Sequence, residues 1–313
     1  MICLSTIMPC YNEEDVLPSS ISRLTELYND LIARKKISPG SSIVCVNDGS
    51  TDKTWEVISR EKGRNHFVRG INLAHNVGQQ NAILAGMMTA RGWADGVITI
   101  DADLQDDYQH CIPQMIDDYE KGFDVVYGVR SDRQSNTFLK RFTAQAFYKL
   151  QKRLGVECIY NHADFRFMSK KALNGLSQYT ERNIYLRGII PMMGFKSTTV
   201  DYVFGHRLAG KSKYTLKKML ALGIDGITSF SVKPIYIIIL VGIAFLIMSI
   251  IILVNVARAF VSGTAVPGWA SLILSIWVVG GALMISIGVV GIYIGKIYEE
   301  VKHRPRYIIS EII

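Results

Sequence analysis

Val97-Ile-Thr-Ile-Asp101-Ala-Asp103-Leu-Gln105 is a run of β-formers that ends abruptly in two carboxylates, two residues apart, and a carboxamide. Successive strand residues point to opposite faces, so an i, i+2 pair projects to one side. Two aspartates crowded there repel unless a cation sits between them, and all-oxygen ligands suit Mg²⁺ or Mn²⁺. Such an ion would most naturally hold a diphosphate. Taken alone, the segment reads equally well as a strand that ends in an acidic turn, since Asp is common in turns. Its surroundings have to decide.

Upstream and downstream, the same grammar repeats. Short β-rich runs at Ile2–Met8, Ile43–Asn47, Val68–Leu73, Val97–Asp101 and Asp124–Gly128 alternate with helical stretches. The spacing predicts helices over Glu14–Lys35, Asp52–Lys62, Gln79–Arg91 and Gln109–Lys121. This β-α alternation implies an α/β domain with a mostly parallel sheet and helices on both faces. Ligands in such folds bind beyond the carboxyl ends of the strands. Polar motifs stand there after each of the first four strands: Pro9-Cys-Tyr11-Asn12-Glu13-Glu14, Asn47-Asp48-Gly49-Ser50-Thr51-Asp52, Asn76-Val-Gly78-Gln-Gln-Asn81 and the Asp101 segment. Any one of them is an ordinary loop with a helix cap, and Ser50 to Asp52 suits that role. Four along one sheet edge make a site. The chain has no GxGxxG and no Walker lysine motif, which disfavours a dinucleotide enzyme or a P-loop ATPase.

Charge is unevenly distributed over the 313 residues. Residues 1–129 hold 11 Lys+Arg against 18 Asp+Glu, residues 130–233 hold 19 against 6, and residues 234–313 hold 5 against 3. A basic middle beside an apolar end points to an anionic membrane surface or a phosphorylated ligand, and not to nucleic acid. The five cysteines, Cys3, Cys10, Cys45, Cys111 and Cys158, are scattered and form no CxxC pair. They fit a reducing compartment better than a disulfide framework or a zinc site. The run from Ile2 to Met8 shows no basic n-region or cleavage site, so no secretory signal peptide is expected.

Two long apolar runs, at about 235–257 and 269–294, contain no charged residue. A hydrocarbon core of roughly 30 Å needs ~20 helical residues, so each is long enough to span. They read as a two-helix transmembrane hairpin. Lys233 precedes the first run, Lys296, Lys302, Arg304 and Arg306 follow the second, and the connection holds only Arg258. That bias places both termini and residues 1–233 in the cytoplasm. Gly291-Ile-Tyr-Ile-Gly295 is a small-xxx-small pattern that permits close helix approach and hence a homo-oligomer. Residues 137–154 and 215–230 are basic and amphipathic; the first suits a domain core or the headgroup plane equally, the second the headgroup plane. The organisation expected is a domain over 1–214, a juxtamembrane segment over 215–233, and the hairpin with a short tail over 234–313.

With these residues assembled, the chain resembles family 2 glycosyltransferases of the GT-A fold. More narrowly, it is similar to their polyprenyl-phosphate branch, the bactoprenol glucosyltransferases and dolichyl-phosphate mannose synthases. The motifs that carry the resemblance are Pro9-x-Tyr11-Asn12-Glu13, Asn47-Asp48-Gly49-Ser50-x-Asp52, Asp101-Ala-Asp103-Leu-Gln105, Gly128-x-Arg130, Asp164-Phe-Arg166 and Arg207-x3-Lys211-Ser212-Lys213-Tyr214. Asn47 departs from the family, which more often has an aspartate there, and this leaves Asp48 as the contact for the nucleotide base. The Gln-x-x-Arg-Trp signature of processive synthases is replaced by Arg182-Asn-Ile-Tyr-Leu-Arg187-Gly, which disfavours polymerisation.

The resemblance implies an integral, multi-pass enzyme of the bacterial inner membrane that moves one sugar from a nucleotide-sugar donor to a polyprenyl-phosphate acceptor with inversion. Glucose from UDP-glucose onto undecaprenyl phosphate is the first pairing expected. GDP-mannose, UDP-GlcNAc or an aminoarabinose-type donor are alternatives, as is a non-catalytic scaffold from a different class. By the same analogy Mg²⁺ or Mn²⁺ would be held by Asp101, Asp103 and Gln105. The nucleotide would lie against Pro9, Tyr11, Glu13, Asp48 and Asp101, and acceptor phosphate against Arg130, Arg141, Lys211 and Ser212. Arg207 and Asp164 would act at the reacting centre. For Asp164 three roles stay open: a base, a group that orients the sugar, or the partner of Arg166 on one face of a strand.

Overall fold

The computed structural model describes residues 1–130, 162–182, 184–202, 233–261 and 268–313. The first part of the chain runs β1 (Leu4–Cys10), α1 (Leu17–Ala33), β2 (Ser42–Asn47), α2 (Thr54–Arg64), β3 (Val68–Leu73), α3 (Gln79–Ala90), β4 (Gly96–Thr99), α4 (Tyr108–Glu120) and β5 (Val125–Arg130). Then come β6 (His162–Ser169), α5 (Lys170–Leu176), α6 (Leu186–Met192) and β7 (Ser197–Tyr202). Two long helices follow, α7 (Lys233–Val261) and α8 (Trp269–Val301), and the chain closes on β8 (Ile309–Ile312).

The strands form one sheet in the order β7-β5-β6-β4-β1-β2-β3-β8. β1 pairs in parallel with β2 and β4, β2 with β3, and β5 with β7. Among the described residues, only β6, between β4 and β5, and β8, beside β3, run against the rest. The mostly parallel α/β architecture implied by the alternation is therefore present. Parallel strands are covered on both faces and so read as continuous apolar runs, and Leu4–Met8 and Ser42–Asn47 are buried throughout.

Helix α1 covers one face with Leu17, Ile21, Leu24, Tyr28 and Leu31, the i, i+3/i+4 stripe of an amphipathic helix, and Pro18 sits in its first turn. The Tyr28 hydroxyl bonds Thr6 and the Ser42 carbonyl, so its one polar atom is satisfied inside the core. Helix α3 covers the other face with small residues. A Cβ on Gly86 would lie 2.3 Å from Ile7 Cγ2, so only glycine allows α3 to press this closely on β1.

Register then aligns the strand ends. Cys10 stands opposite Asn47, Asn47 opposite Asn72, and Ile7 opposite Thr99. The polar loops after β1 to β4 therefore emerge along a single edge.

The last residues belong to this sheet unit, whereas residues 233–303 form a second unit. Gly70 and Ile313 exchange both backbone bonds at 2.9 Å, and Ala74 N–H reaches the Ile308 carbonyl at 2.9 Å. A Cβ on Gly70 would lie 2.8 Å from Ile313 Cγ1, so this glycine makes room for the terminal side chain. Arg182 Nη1 donates to the Arg304 and Pro305 carbonyls at 2.8 and 3.1 Å, and Arg306 Nη2 to the Tyr179 carbonyl. In the second unit, Val278–Val301 is, among the described residues, long and apolar enough to cross a membrane. The basic amphipathic segments 137–154 and 215–230 lie outside the described residues.

Deleting Ile309–Ile313 removes the β8 pairing and uncovers Ile58 and Trp55 beneath Ile313. The expected loss is about 2–4 kcal/mol from burial and backbone bonds together. It should appear as a lower thermal midpoint of the full chain in detergent, and an unchanged midpoint would show that β8 contributes nothing.

Candidate functional site

Three loops on the edge formed by β1, β2 and β3 are laced together. Asn12 adopts a left-handed conformation (φ 54°), with its N–H on Ser50 Oγ at 3.1 Å and its Oδ1 accepting from Thr51 N–H at 2.9 Å. Glu13 N–H donates to Thr54 Oγ1 and Glu14 Oε2 accepts from Lys53 N–H, both at 2.9 Å. Gly49 (φ 61°) is obligatory, because a Cβ there would lie 2.5 Å from the Asn76 nitrogen. That close approach lets Asp48 accept Val77 N–H at 2.7 Å and Gly78 N–H at 3.0 Å, one on each carboxylate oxygen. Burial pushes the Asp48 carboxyl up, and these two N–H groups partly offset the rise. Asp48, expected on the nucleotide base, is thus buried and braces the β3–α3 loop. Asn47 reaches across the sheet to Asn72 at 2.7 Å.

The acidic segment departs from the strand picture in one respect. β4 stops at Thr99, and Asp101 to Gln105 form a turn in which Leu104 is left-handed (φ 46°) and its N–H meets the Asp101 carbonyl at 3.2 Å. The turn, and not strand alternation, brings Asp101 and Asp103 together. Asp101 Oδ1 accepts from Gln79 Nε2 at 2.8 Å, and Asp103 Oδ2 from Gln105 Nε2 at 2.8 Å. Gln105 therefore turns its amide N–H₂ toward Asp103.

Two arginine clusters flank the turn. On one side, the buried Asp106 accepts from the Tyr202 hydroxyl and from Arg130 Nη2 at 3.3 Å, while Arg130 Nε donates to the Tyr202 oxygen at 3.0 Å. On the other, Asp164 is paired with Arg166 and Arg187, and its backbone carbonyl accepts from the Thr99 hydroxyl at the end of β4. Of the three roles left open for Asp164, pairing with Arg166 is the one the geometry displays.

The structure therefore gathers Asp101, Asp103, Gln105, Arg130 and Asp164 around one turn, and Pro9, Tyr11, Glu13 and Asp48 on the β1–β2 edge. Arg141, Arg207, Lys211 and Ser212 lie outside the described residues. Gln79, Asp106, Tyr202 and Arg187 join the site without having been expected there. Gln79 belongs to a motif already singled out, Asp106 directly follows one, and Arg187 stands in the stretch that replaces the Gln-x-x-Arg-Trp signature; Tyr202 carries no local signal, since 96 residues separate it from Asp106.

Among the described residues no group of three His, Cys, Asp or Glu side chains forms a metal cage. The donors present are two carboxylates, the set with which Mg²⁺ is held when substrate phosphates complete the shell. Asp101 and Asp103 fit such an ion.

The glycosyl transferase family 2 profile matches residues 5–176. The uncharacterized glycosyltransferase YkoT of Bacillus subtilis is 48% identical over 307 residues, covering 98% of this chain and 91% of that protein. The bactoprenol glucosyl transferase of Shigella phage SfV is 37% identical over 312 residues, covering 98% of both. Glucosyl-3-phosphoglycerate synthase of Mycobacterium tuberculosis, solved with phosphoglyceric acid, aligns with a TM-score of 0.47 at 16% identity, covering 73% of this chain and 79% of that one.

Burial, and then the charges of Asp106, Asp164 and Asp103, push the Asp101 carboxyl up to about 7, with Arg130 opposing them. In the unfolded chain an aspartate titrates near ~3.9, so between about pH 4 and 7 the folded state holds a proton the unfolded state has lost. The contribution of Asp101 to stability therefore falls as pH rises through that window. A divalent ion has to displace this proton. Mg²⁺ or Mn²⁺ is expected to raise the thermal midpoint more at about pH 8 than at about pH 5.5, and Asp101→Asn to abolish the difference. Equal shifts at both pH values would remove Asp101 from the ion's ligands.

Proposed function

The chain belongs to glycosyl transferase family 2, and from that premise we propose that it moves one sugar from a nucleotide diphosphate to the phosphate of a polyprenyl phosphate. Glucose from UDP-glucose onto undecaprenyl phosphate is the first pairing to test. The observation that carries the reading is the acidic pair Asp101 and Asp103 beside Arg130, an arginine that buried Asp106 holds in place. The acidic pair suits an ion with a diphosphate; the arginine suits a second phosphate. The glucose and the lipid acceptor rest on the likeness to the bactoprenol glucosyl transferase.

In this reading Asp101 and Asp103, with Gln105 beside them, hold Mg²⁺ or Mn²⁺. When bound, the ion supplies positive charge against the charge that builds on the leaving diphosphate. Pro9, Tyr11, Glu13 and Asp48 form the nucleotide side. The nucleophile is an acceptor phosphate oxygen, already ionised near neutral pH, so no residue has to remove a proton from it. The remaining task is to bring one anion against another. Arg130 does this with a guanidinium whose orientation Tyr202 and Asp106 set; by the resemblance, Arg141, Lys211 and Ser212 would meet the acceptor phosphate and Arg207 would act at the reacting centre. In-line attack from the opposite face inverts the anomeric centre without a covalent enzyme intermediate. Asp164 orients its neighbours, since arginines take both of its carboxylate oxygens.

The same reading makes residues 1–214 the catalytic domain, 215–233 a juxtamembrane segment and 234–313 a hairpin with a short tail. Pairing of β8 with β3 supports the hairpin. Strands in one sheet lie on one side of a membrane, so the chain between them crosses an even number of times. Lysines and arginines at the outer ends of the apolar runs favour the cytoplasmic side. Open space where Cβ atoms of Gly291 and Gly295 would stand is compatible with a homo-oligomer.

Purified chain offered UDP-glucose, GDP-mannose or UDP-GlcNAc should transfer sugar from one of them, and only with undecaprenyl phosphate and a divalent ion both present. Asp103→Ala should lower that rate ~100-fold or more while the melting transition stays in place. Full activity in excess EDTA, or no transfer to polyprenyl phosphate from any donor, overturns the reading.

A further inference from the structure

One residue of helix α1 breaks its apolar stripe. Ser20 faces the core with Leu17, Ile21 and Leu24, and it is 1% exposed. A hydroxyl is tolerated in such a place only where it finds a partner. Its Oγ stands 2.6 Å from the Ala102 carbonyl and 3.3 Å from the Val16 carbonyl. A hydroxyl has one hydrogen to give, and the shorter contact takes it. Ala102 is the residue between Asp101 and Asp103. From 82 residues away, α1 thus holds the middle of the acidic turn.

The other face of the sheet supplies a second hold. Gln79, in the first turn of α3, donates from Nε2 to Asp101 Oδ1 at 2.8 Å. One helix grips the backbone between the two aspartates, and the other grips the first carboxylate. The turn calls for such support. Leu104 is left-handed (φ 46°), a conformation that persists in a residue with a side chain only where its surroundings impose it. Ala102 and Leu104 are both buried, so the turn is packed down against the core. Both holds are also neutral. A hydroxyl and a carboxamide fix where the carboxylates stand without cancelling their charge, as outer-shell partners of metal ligands do.

We infer that Ser20 and Gln79 are positioning residues for the divalent ion, holding the Asp101–Asp103 turn in its binding arrangement before the ion arrives. Binding then does not have to order the turn, which is the gain that preorganisation brings. The inference rests on the transfer reading above only through the ion at this acidic pair.

The test titrates the full chain in detergent with Mn²⁺ and reads the free ion by electron paramagnetic resonance. The ion counted is the one that Asp103→Ala abolishes. Ser20→Ala and Gln79→Leu, each of which removes one donor, should weaken it ~10-fold or more, the cost typical of losing an outer-shell partner. Thr25→Ala is the control: its hydroxyl bonds the Ile21 carbonyl at 2.7 Å on the same helix and does not reach the turn, so that variant should bind Mn²⁺ as the parent does. Either test variant binding within about twofold of the parent overturns the inference, whatever its melting temperature. So does a Thr25→Ala chain weakened as much as Ser20→Ala, because the loss would then belong to α1 in general. Should Ser20→Ala not fold, Gln79→Leu decides alone by the same criterion, and a parent chain without the ion also overturns it. Mn²⁺ uptake requires neither sugar nor lipid. A chain that transfers nothing to polyprenyl phosphate would therefore sink the transfer reading while the titration still judges Ser20 and Gln79.

Discussion

Four carboxylates, Asp101, Asp103, Asp106 and Asp164, act on one another at a single edge of the sheet, and their mutual repulsion is the constraint around which the site is built. Burial alone raises the cost of charge on Asp101, and its three neighbours raise it further. Asp106 is offset by Arg130 and a tyrosine hydroxyl, and Asp164 by Arg166 and Arg187. Each flanking carboxylate thus carries its own cation. Asp101 accepts from the Gln79 amide and Asp103 from the Gln105 amide. The turn after β4 brings both to this edge, and their two carboxylates fit a divalent ion.

Strand β6 makes this possible. It enters antiparallel between β4 and β5, so Arg166 stands opposite Thr99 on one side and Tyr127 on the other. Asp164 is thereby carried to the end of β4, beside the acidic turn, and the Thr99 hydroxyl fixes its backbone carbonyl there. β7, parallel to β5, places Tyr202 opposite Arg130 and within reach of Asp106. Both arginine clusters therefore depend on pairings that skip across the order of the chain. The β1–β3 edge is instead assembled from consecutive β-α units, whose loops are stitched by Asp48, Asn12 and Asp52.

This difference decides what was legible in the sequence. The four β-α units follow from apolar periodicity, and Asp101 and Asp103 stand out because a β-rich run ends on them. Their geometry was misread all the same: the strand halts at Thr99, and a left-handed Leu104 does the work assigned to alternation. Asp48 was legible as a site residue by its motif, but not its engagement with Val77 and Gly78, which depends on a three-dimensional approach that Gly49 permits. Tyr202 was illegible because nothing local marks it and the strand order puts it in place; Arg187 stood in a stretch already singled out, but its pairing with Asp164 depends on where α6 packs. β8 escaped notice for another reason. Ile309-Ser310-Glu311-Ile312 is too short and too polar to announce a strand, and Gly70 and the β3 edge make it one.

The charged clusters contribute little to holding the fold up. Desolvating three guanidiniums and four carboxylates costs roughly as much as their pairing returns, so apolar replacements of similar shape would often be neutral or stabilising. Stability resides instead in the uncharged core of Leu4, Met8, Leu24, Tyr28, Ile43, Ile98, Ile112 and Phe167, packed between the sheet and its helices. That separation has a physical consequence. A site whose charges are nearly balanced against burial responds strongly to one added charge, whether an ion at Asp101 or a phosphate at an arginine. The rigid apolar layer beneath prevents the response from being dissipated by movement of the strands. The sheet supplies the fixed frame along whose edge these charges oppose one another.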